Sequence, residues 1–364
     1  MIGTKPPATK PLFAMYWAAS CGGCDIAVLN LNEKLLDVAD AFDIVFWPCA
    51  TDGKYADVEA LDDRAITLTL FSGGIRNEEN ERLAHLLRVK SKVLVAFGSC
   101  ACEGCIPGLA NLRPVSDLLD TAFEGLSTDN PDHLRPISHF QAPEGVLELP
   151  ALLPTLRTLD QVVPVDYYLP GCPPETNRIA EVVGLIIEAL NGRAELPPLG
   201  SVLGGRSTVC DECPRTRNVK RIKKFTRIQE LATVDPDLCL LEQGIPCNGP
   251  ATRDGCGALC PSAGAQCIGC YGPADGVADY GARLMSAFAS VVDSADPDEI
   301  SDILDGIPDP VGQVYRFSLA GSLLRASRTA WSPDGATATP GGEPPAEPEA
   351  TRTPVAAGAS LGSR

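Results

Sequence analysis

An apolar run near the start of the chain leads directly into a pair of cysteines. Leu12–Trp17 has the length and hydrophobicity of a buried strand, and the small residues after it lead to Cys21 and Cys24, which two glycines separate. Apolar residues then recur at helical spacing as far as Leu36. This order predicts two thiols in a loop at the carboxyl end of a strand, where α/β proteins bind their ligands. Two cysteines at this spacing are half of a metal site.

The first 200 residues alternate between strand and helix patterns. Four more short apolar runs predict strands, at residues 43–48, 65–71, 92–97 and 165–169. Residues 77–89 begin with acids, end with basic residues and carry leucines on one face, which predicts a helix. A second helix is expected from about residue 175 to 190. The alternation predicts an α/β fold over residues 1–200, a doubly wound parallel sheet with helices on both faces.

Two further cysteines follow strands of this predicted sheet. Cys100 and Cys172 both lie in glycine-containing turns directly after an apolar run. Because the carboxyl ends of parallel strands share one edge, we expect Cys21, Cys24, Cys100 and Cys172 to converge there. Four thiolates are the ligand set of a single iron–sulfur cluster. The alternative is that Cys100 and Cys172 are small buried apolar residues.

The regular alternation ends near Pro197, and a cysteine-rich segment occupies residues 201–275. Its eight cysteines are Cys210, Cys213, Cys239, Cys247, Cys256, Cys260, Cys267 and Cys270. Little apolar periodicity separates them, so we expect bound metal, not a hydrophobic core, to supply the folding energy. Eight ligands divide into two sites of four, which zinc would also accept. The uneven spacing and the many glycines and prolines favour iron–sulfur clusters over a zinc ribbon.

Charge and cysteine usage limit the classes of function. The net charge of −17 argues against a nucleic-acid-binding protein. A basic run, residues 215–227, stands out against it and is either a solvated helix face, a docking site for an acidic partner or a counterweight to anionic clusters. No apolar run is long enough for a transmembrane helix, and the N-terminus carries no export signal. We therefore expect a cytoplasmic protein with reduced thiols, any association with a membrane being made through a partner.

Six motifs in this order resemble the small, electron-transferring subunit of cytosolic-type [NiFe] hydrogenases. The similarity is greatest to the methyl-viologen-reducing, deazaflavin-linked and soluble uptake enzymes. The motifs are SCGGCD at 20–25, GSCACEGCIPG at 98–108, PGCPPE at 170–175, CDECPR at 210–215, CLLEQGIPCNGPATRDGCGALC at 239–260 and CIGCYGP at 267–273. The resemblance covers roughly residues 12–273 and implies a flavodoxin-like sheet domain followed by an irregular iron–sulfur domain.

The resemblance also implies three iron–sulfur clusters. The proximal set is Cys21, Cys24, Cys100 and Cys172; the medial set is Cys256, Cys260, Cys267 and Cys270; the distal set is Cys210, Cys213, Cys239 and Cys247. Periplasmic members of the family have a histidine where this chain has Cys210. They also have a proline near the position of Cys260, which gives a [3Fe–4S] cluster. With Cys260 available here, the medial cluster is either [3Fe–4S] or [4Fe–4S].

The resemblance implies that the chain transfers electrons. It contains no cysteine pairs of the kind that hold a nickel–iron centre, so we do not expect it to split hydrogen by itself. That centre would belong to a large partner subunit that splits hydrogen. Electrons would leave from the distal cluster to a quinone, a flavoprotein or another carrier, and the heterodimer is expected to form a higher oligomer. The rivals are a single-cluster subunit related to the 20 kDa subunit of respiratory complex I, and a zinc-stabilised scaffold.

The remaining features are assigned by composition. Cys49, Cys102 and Cys105 fall outside the three sets and are expected to be buried or to lie next to ligands. Residues 276–330 are expected to form a helical extension, with amphipathic helices at 282–292 and, less clearly, 314–324. Residues 331–364 are rich in Pro, Ala, Gly and Thr, which predicts a disordered tail.

Overall fold

The fold is built on a six-stranded parallel sheet. We describe it from a computed structural model, which covers residues 10–218 and 221–324; the tail predicted at 331–364 lies outside the described residues. The strands are β1 (Leu12–Trp17), β2 (Asp43–Phe46), β3 (Ile66–Ser72), β4 (Ile75–Asn77), β5 (Ser91–Phe97), β6 (His139–Ala142), β7 (Gly145–Glu148), β8 (Leu152–Arg157), β9 (Tyr167–Leu169) and β10 (Ser201–Val202). The sheet order is β10-β9-β5-β3-β1-β2, and all its pairings are parallel.

Helices cover both faces of this sheet. The α-helices in the described residues are α1 (Gly23–Leu29), α2 (Lys34–Ala41), α3 (Tyr55–Glu59), α4 (Glu78–Lys90), α5 (Ser99–Glu103), α6 (Val115–Phe123), α7 (Thr176–Leu190), α8 (Val209–Glu212), α9 (Leu259–Ser262), α10 (Tyr280–Ala289), α11 (Pro297–Leu304) and α12 (Pro310–Tyr315). Short 3₁₀ turns lie at Ile106–Leu112, Leu159–Gln161, Ile228–Glu230 and Leu241–Gln243. The predicted doubly wound α/β fold is confirmed.

Alternation along β1 shows how the two layers form. Phe13 and Met15 point into the apolar cluster that α1, α2 and α7 cover, and Ala14 and Tyr16 point into the cluster that α3 and α4 cover. Both clusters are buried, which accounts for the continuous hydrophobicity of the strands. The strands are parallel, so their carboxyl ends lie along one edge of the sheet.

The second half of the chain has a hydrophobic core that the sequence did not predict. Val209, Ile222 and Phe225 pack with Leu284 and Phe288 from α10. The expectation that the cysteine-rich segment would lack such a core is wrong, because its scattered apolar residues bury against helices that come later in the chain. The boundaries proposed at residues 200, 275 and 330 stay predictions.

The C-terminal helices differ from the prediction in one place. α10 matches the helix expected at 282–292, but α12 ends at Tyr315, so the helix expected at 314–324 is wrong over most of its length. The chain turns there because its backbone bonds elsewhere: Cys105 N–H donates to Phe317 O at 3.0 Å, and Gly321 N–H donates to Glu103 O at 3.1 Å. The helices in the described ranges include none long and apolar enough to span a bilayer.

Candidate functional site

The thiols of the predicted proximal set lie at the carboxyl ends of three strands of the sheet. Cys21 is exposed between β1 and α1, and Cys24 is buried in the first turn of α1. Cys100 is buried in the first turn of α5, directly after β5, and Cys172 follows β9. The predicted position of all four residues at one edge is therefore observed.

Backbone hydrogen bonds hold two of these loops together. Gly98 N–H donates to Leu169 O, and Ser99 N–H donates to Gly171 O, both at 2.8 Å. In return, Gly171 N–H donates to Ser99 Oγ at 3.1 Å. The loops after β5 and β9, each of which carries a cysteine, are thus fixed against each other before any metal is considered.

Gly98 keeps space free for one of the thiols. Its backbone has φ +82°, a conformation that side chains rarely adopt, and a Cβ atom built on it would lie 2.4 Å from Cys24 Sγ. The chain therefore needs glycine here for two reasons, conformation and room.

We expect Gly98→Ala to remove the proximal site. The methyl group would displace the Cys24 thiol, and the backbone strain would cost about 1–3 kcal/mol. Iron per chain should fall by about four, the content of one [4Fe–4S] cluster, in elemental analysis of the purified protein. Gly184→Ala is the control, because Gly184 lies within α7 and a Cβ added there would have no atom within 4 Å. Equal iron contents for the two variants would contradict the assignment.

The electrostatics of the proximal set favour a bound cation. Burial, followed by the nearby sulfurs of Cys172 and Cys21, raises the pKa of Cys24 to about 12. Contact with Cys105, followed by burial, raises the pKa of Cys172. Thiols bind metal as thiolates, so the positive charge of a bound cluster would have to offset these raised pKa values.

Cys105 is a fifth thiol at this site, and the structure assigns it a closer role than the sequence did. It is buried, has φ +50°, and its Sγ lies 3.6 Å from Cys172 Sγ, to which it can donate a hydrogen bond. It also packs with Cys100 and Phe317. Its place five residues after Cys100 in GSCACEGCIPG was the only signal in the sequence, and that signal does not specify the contact.

We expect Cys105→Ala to lower the reduction potential of the proximal cluster without loss of iron. Hydrogen bonds to cluster sulfurs stabilise the reduced, more negative state, and this variant removes one donor. A redox titration monitored by electron paramagnetic resonance measures the change. Cys102→Ala is the matched control, since Cys102 Sγ bonds Ala96 O at 3.3 Å instead. An unchanged reduction potential of the proximal cluster would contradict the expectation. A loss of about four irons per chain would indicate that Cys105 is itself a ligand.

The predicted medial set surrounds a cavity of about 400 Å³. All four thiols line it: Cys256, Cys260, Cys267 and Cys270. Cys267 is buried, whereas Cys260 is exposed on the outer side. Burial, then the carboxylate of Glu212 and, least, the Cys260 sulfur raise the pKa of Cys256.

The predicted distal set surrounds a second cavity, of about 340 Å³. Its lining includes Cys210, Cys213, Cys239 and Cys247 together with apolar side chains such as Leu240 and Val209. A Cβ on Gly249 would lie 3.1 Å from Cys210 Sγ and 3.8 Å from Cys247 Sγ, so glycine preserves the space between these two sulfurs.

A buried arginine fixes the loop that carries Cys239. Arg215 Nε donates to Pro261 O at 2.9 Å, and its Nη1 donates to Asp235 O at 2.7 Å and to Leu238 O at 3.0 Å. The guanidinium joins the medial and distal loops, which are far apart in sequence. The sequence places this arginine only in the basic run, because nothing in its spacing distinguishes it from its exposed neighbours.

The three sets of thiols are contiguous. Cys267 N–H of the medial set donates to Cys247 Sγ of the distal set at 3.3 Å. At the other end, Cys270 of the medial set and Cys172 of the proximal set both pack against the buried cluster of Cys100, Cys105 and Phe317. The twelve predicted ligands therefore form one series, proximal to medial to distal.

The donors fit iron–sulfur clusters in their chemistry. Every predicted ligand is a cysteine, and two sets of four line cavities instead of meeting at a point. In residues 10–218 and 221–324, no three His, Cys, Asp or Glu side chains approach closely enough to hold one metal ion. Four thiolates around a volume of this kind are the arrangement that a polynuclear cluster requires.

The other acids and cysteines near the sets differ in role. Glu175 caps α7 by accepting from Asn177 N–H. Glu103 is partly buried, and burial raises its pKa to about 8. Cys49 is exposed, and its thiol lies beside Asp25, the residue after Cys24.

Comparison with known proteins assigns the chain to a family. The family of the NADH ubiquinone oxidoreductase 20 Kd subunit matches residues 21–186. The iron–sulfur subunit of the F420-non-reducing hydrogenase of Archaeoglobus profundus is 41% identical over 311 residues, which are 84% of this chain and 94% of that protein. A vhu subunit of the F420-non-reducing hydrogenase of Methanococcus voltae is 40% identical over 79% of this chain and 91% of its own length.

Among solved structures, the crystal structure of an NAD⁺-reducing [NiFe]-hydrogenase in the H2-reduced state has 30% sequence identity to the chain. The match covers 52% of this chain and 96% of the chain in that structure, with a TM-score of 0.43. The relatives, by contrast, match across both halves of the chain. The protein belongs to the family of the iron–sulfur subunits of F420-non-reducing hydrogenases, small subunits of [NiFe] hydrogenases, which confirms the resemblance of the six motifs.

Proposed function

We propose that this chain is the electron-transferring small subunit of a [NiFe] hydrogenase. In this proposal a large partner subunit holds the nickel–iron centre and oxidises hydrogen, and the chain conducts the electrons to an acceptor. When bound, three iron–sulfur clusters supply the one-electron redox chemistry. The observation that carries the proposal is the contiguous series of three cysteine sets, with 3.3 Å between Cys267 N and Cys247 Sγ.

The chain's own residues hold the clusters and exclude water from them. The twelve cysteines supply the thiolates: Cys21, Cys24, Cys100 and Cys172 at the proximal position, Cys256, Cys260, Cys267 and Cys270 at the medial position, and Cys210, Cys213, Cys239 and Cys247 at the distal position. Buried apolar residues such as Leu240 and Val209 surround the distal cavity. Burial and hydrogen bonds to sulfur would set the potentials.

Exposed apolar side chains around Cys21 support docking of a partner at the proximal end. Trp17 is 42% exposed, Ile26 59% and Leu29 48%, and all three lie in or next to the elements that flank Cys21. Exposed apolar residues that cluster in this way are typical of a protein interface. The partner we propose here is the large subunit, because its hydrogen-splitting centre must lie close to the first cluster.

The acceptor end would be the distal set, which lies farthest along the series from Cys21. We propose a diffusible or tightly bound carrier, a flavoprotein, a quinone or another redox protein, within a higher oligomer of the heterodimer in the cytoplasm. The names of the relatives support an acceptor other than F420, since those enzymes are called F420-non-reducing.

Reduction by hydrogen tests the proposal directly. The complex of this chain with its large subunit is exposed to H2 under anaerobic conditions and frozen for electron paramagnetic resonance. We expect three iron–sulfur species to become reduced. One reducible species would favour the single-cluster relation to the 20 Kd subunit family that matches residues 21–186. No change in any iron–sulfur signal would overturn the electron-transfer role.

A further inference from the structure

The basic run next to the distal cysteines is unusual in this chain. Residues 215–227 contain seven of the chain's 30 Lys and Arg residues and no acid, although the net charge is −17. Such a local concentration of one sign of charge on a protein of the opposite sign creates a distinct surface potential.

Most of these cations are available for a partner. Arg217, Lys223, Lys224 and Arg227 are exposed and, among the residues that the structure describes, have no carboxylate within ion-pair distance. Arg221 differs, because its Nη1 lies 3.4 Å from Asp293 Oδ1. Long cationic side chains without a counter-ion are a feature of surfaces that bind anionic partners.

Backbone hydrogen bonds connect the segment that carries these cations to the lining of the distal cavity. Ile222 N–H donates to Val291 O, and Thr226 N–H donates to Gly244 O, both at 2.8 Å. Val291 lines the cavity, and Gly244 ends the Leu241–Gln243 turn that lines it as well. The positions of the cations are therefore fixed relative to the cavity.

Two exposed arginines, one from the basic run and one from α10, bring positive charge to the cavity itself. Arg217 and Arg283 both line it and are both exposed. Carboxylates of neighbouring loops are engaged with the backbone: Glu242 accepts from Asn218 N–H at 2.9 Å, and Glu212 accepts from Gly255 N–H at 2.8 Å. Cations thus outnumber acids on the segment that borders the distal set.

We propose that the basic rim, defined as Arg217, Lys223, Lys224, Arg227 and Arg283, is the docking surface for an acidic protein that carries electrons away from the distal set. This inference rests on the proposed function. Each H2 oxidised in the large subunit yields two protons and two electrons, so two molecules of a one-electron carrier are reduced. A compact acidic protein fits best, because it can contact the rim alone, whereas nucleic acids and anionic membranes extend onto the negative remainder of the chain.

The test compares two double charge reversals in the complex with the large subunit. Lys223→Glu/Lys224→Glu alters the rim, and Lys34→Glu/Lys92→Glu is the control, with the same charge change at exposed residues of the sheet domain. The probe is an acidic plant-type [2Fe–2S] ferredoxin, whose H2-dependent reduction is followed at low and high salt. An uncharged quinone dye measures electron exit without a charge preference.

We expect the rim variant to reduce ferredoxin about tenfold more slowly than the control at low salt, because electrostatic steering is lost, with the difference disappearing at high salt. Dye reduction should be the same in both variants. The docking proposal would be overturned if the two variants reduced ferredoxin at equal rates. It would also be overturned if the rim variant reduced free flavin mononucleotide more slowly than the control by the same factor as it reduces ferredoxin. A native complex that reduces neither ferredoxin nor dye would refute the proposed function itself.

Discussion

Cys21→Ser is expected to abolish H2-dependent dye reduction by the complex, with a loss of at least about a hundredfold. Cys21 is the exposed member of the proximal set, and the two elements that flank it carry exposed apolar residues such as Trp17 and Ile26. Serine cannot replace a thiolate as a ligand of comparable strength, so the proximal position loses its cluster or its redox function. Electrons from the partner would then have no entry point into the chain.

A second measurement on this variant distinguishes loss of electron transfer from loss of hydrogen splitting. Isotope exchange between H2 and D2O depends on hydrogen splitting in the large subunit and needs no electron exit, so we expect this exchange activity to persist. Cys49→Ser is the matched control, because Cys49 is also an exposed cysteine and belongs to none of the three sets. Full H2-dependent dye reduction by the Cys21→Ser variant would disprove the electron-transfer role of the proximal set.

Arg215→Met is expected to have the second largest effect, the loss of the distal cluster. The buried guanidinium donates to the carbonyl oxygens of Pro261, Asp235 and Leu238. Each of these oxygens keeps one other donor, Gln243 at Asp235 O and Leu238 O and Gly264 N–H at Pro261 O. The expected cost is therefore the loss of three hydrogen bonds from a charged donor, about 1.5–3 kcal/mol for each such bond at most, and the loop before Cys239 would lose its anchor.

The measurement for Arg215→Met is iron per chain together with thermal stability. We expect a loss of about four irons and a lower unfolding temperature. Arg217→Met is the control, since Arg217 lines the same cavity from an exposed position. If both variants kept the iron of the native chain, Arg215 would have no part in forming the distal site.

The sequence predicted those parts of the fold that local patterns determine. β1 was expected at Leu12–Trp17 and is found there, and the predicted helix at 77–89 is found at Glu78–Lys90. β1 is a continuous apolar run, and the helix has leucines on one face and a cap, because Asn77 accepts from Asn80 N–H. The strand-end position of the proximal cysteines then follows from the topology of a parallel sheet.

Other features depend on contacts between distant segments, which no local pattern reveals. Cys105 reaches Cys172 because its backbone is bonded to Phe317, more than 200 residues later. The same contact pulls the chain after Tyr315 out of the helix that its apolar residues predict. The core of the cysteine-rich half likewise uses Leu284 and Phe288, which the sequence patterns assign to a separate extension.

Iron and acid-labile sulfide per chain, measured on the anaerobically purified complex together with electron paramagnetic resonance, test the central claim of three clusters. We predict roughly 9–12 irons per small subunit beyond the iron of the nickel–iron centre, with a matching amount of sulfide. The spectrum of the oxidised complex would then distinguish a [3Fe–4S] from a [4Fe–4S] medial cluster and decide whether Cys260 is a ligand. About four irons, or zinc without sulfide, would contradict the account.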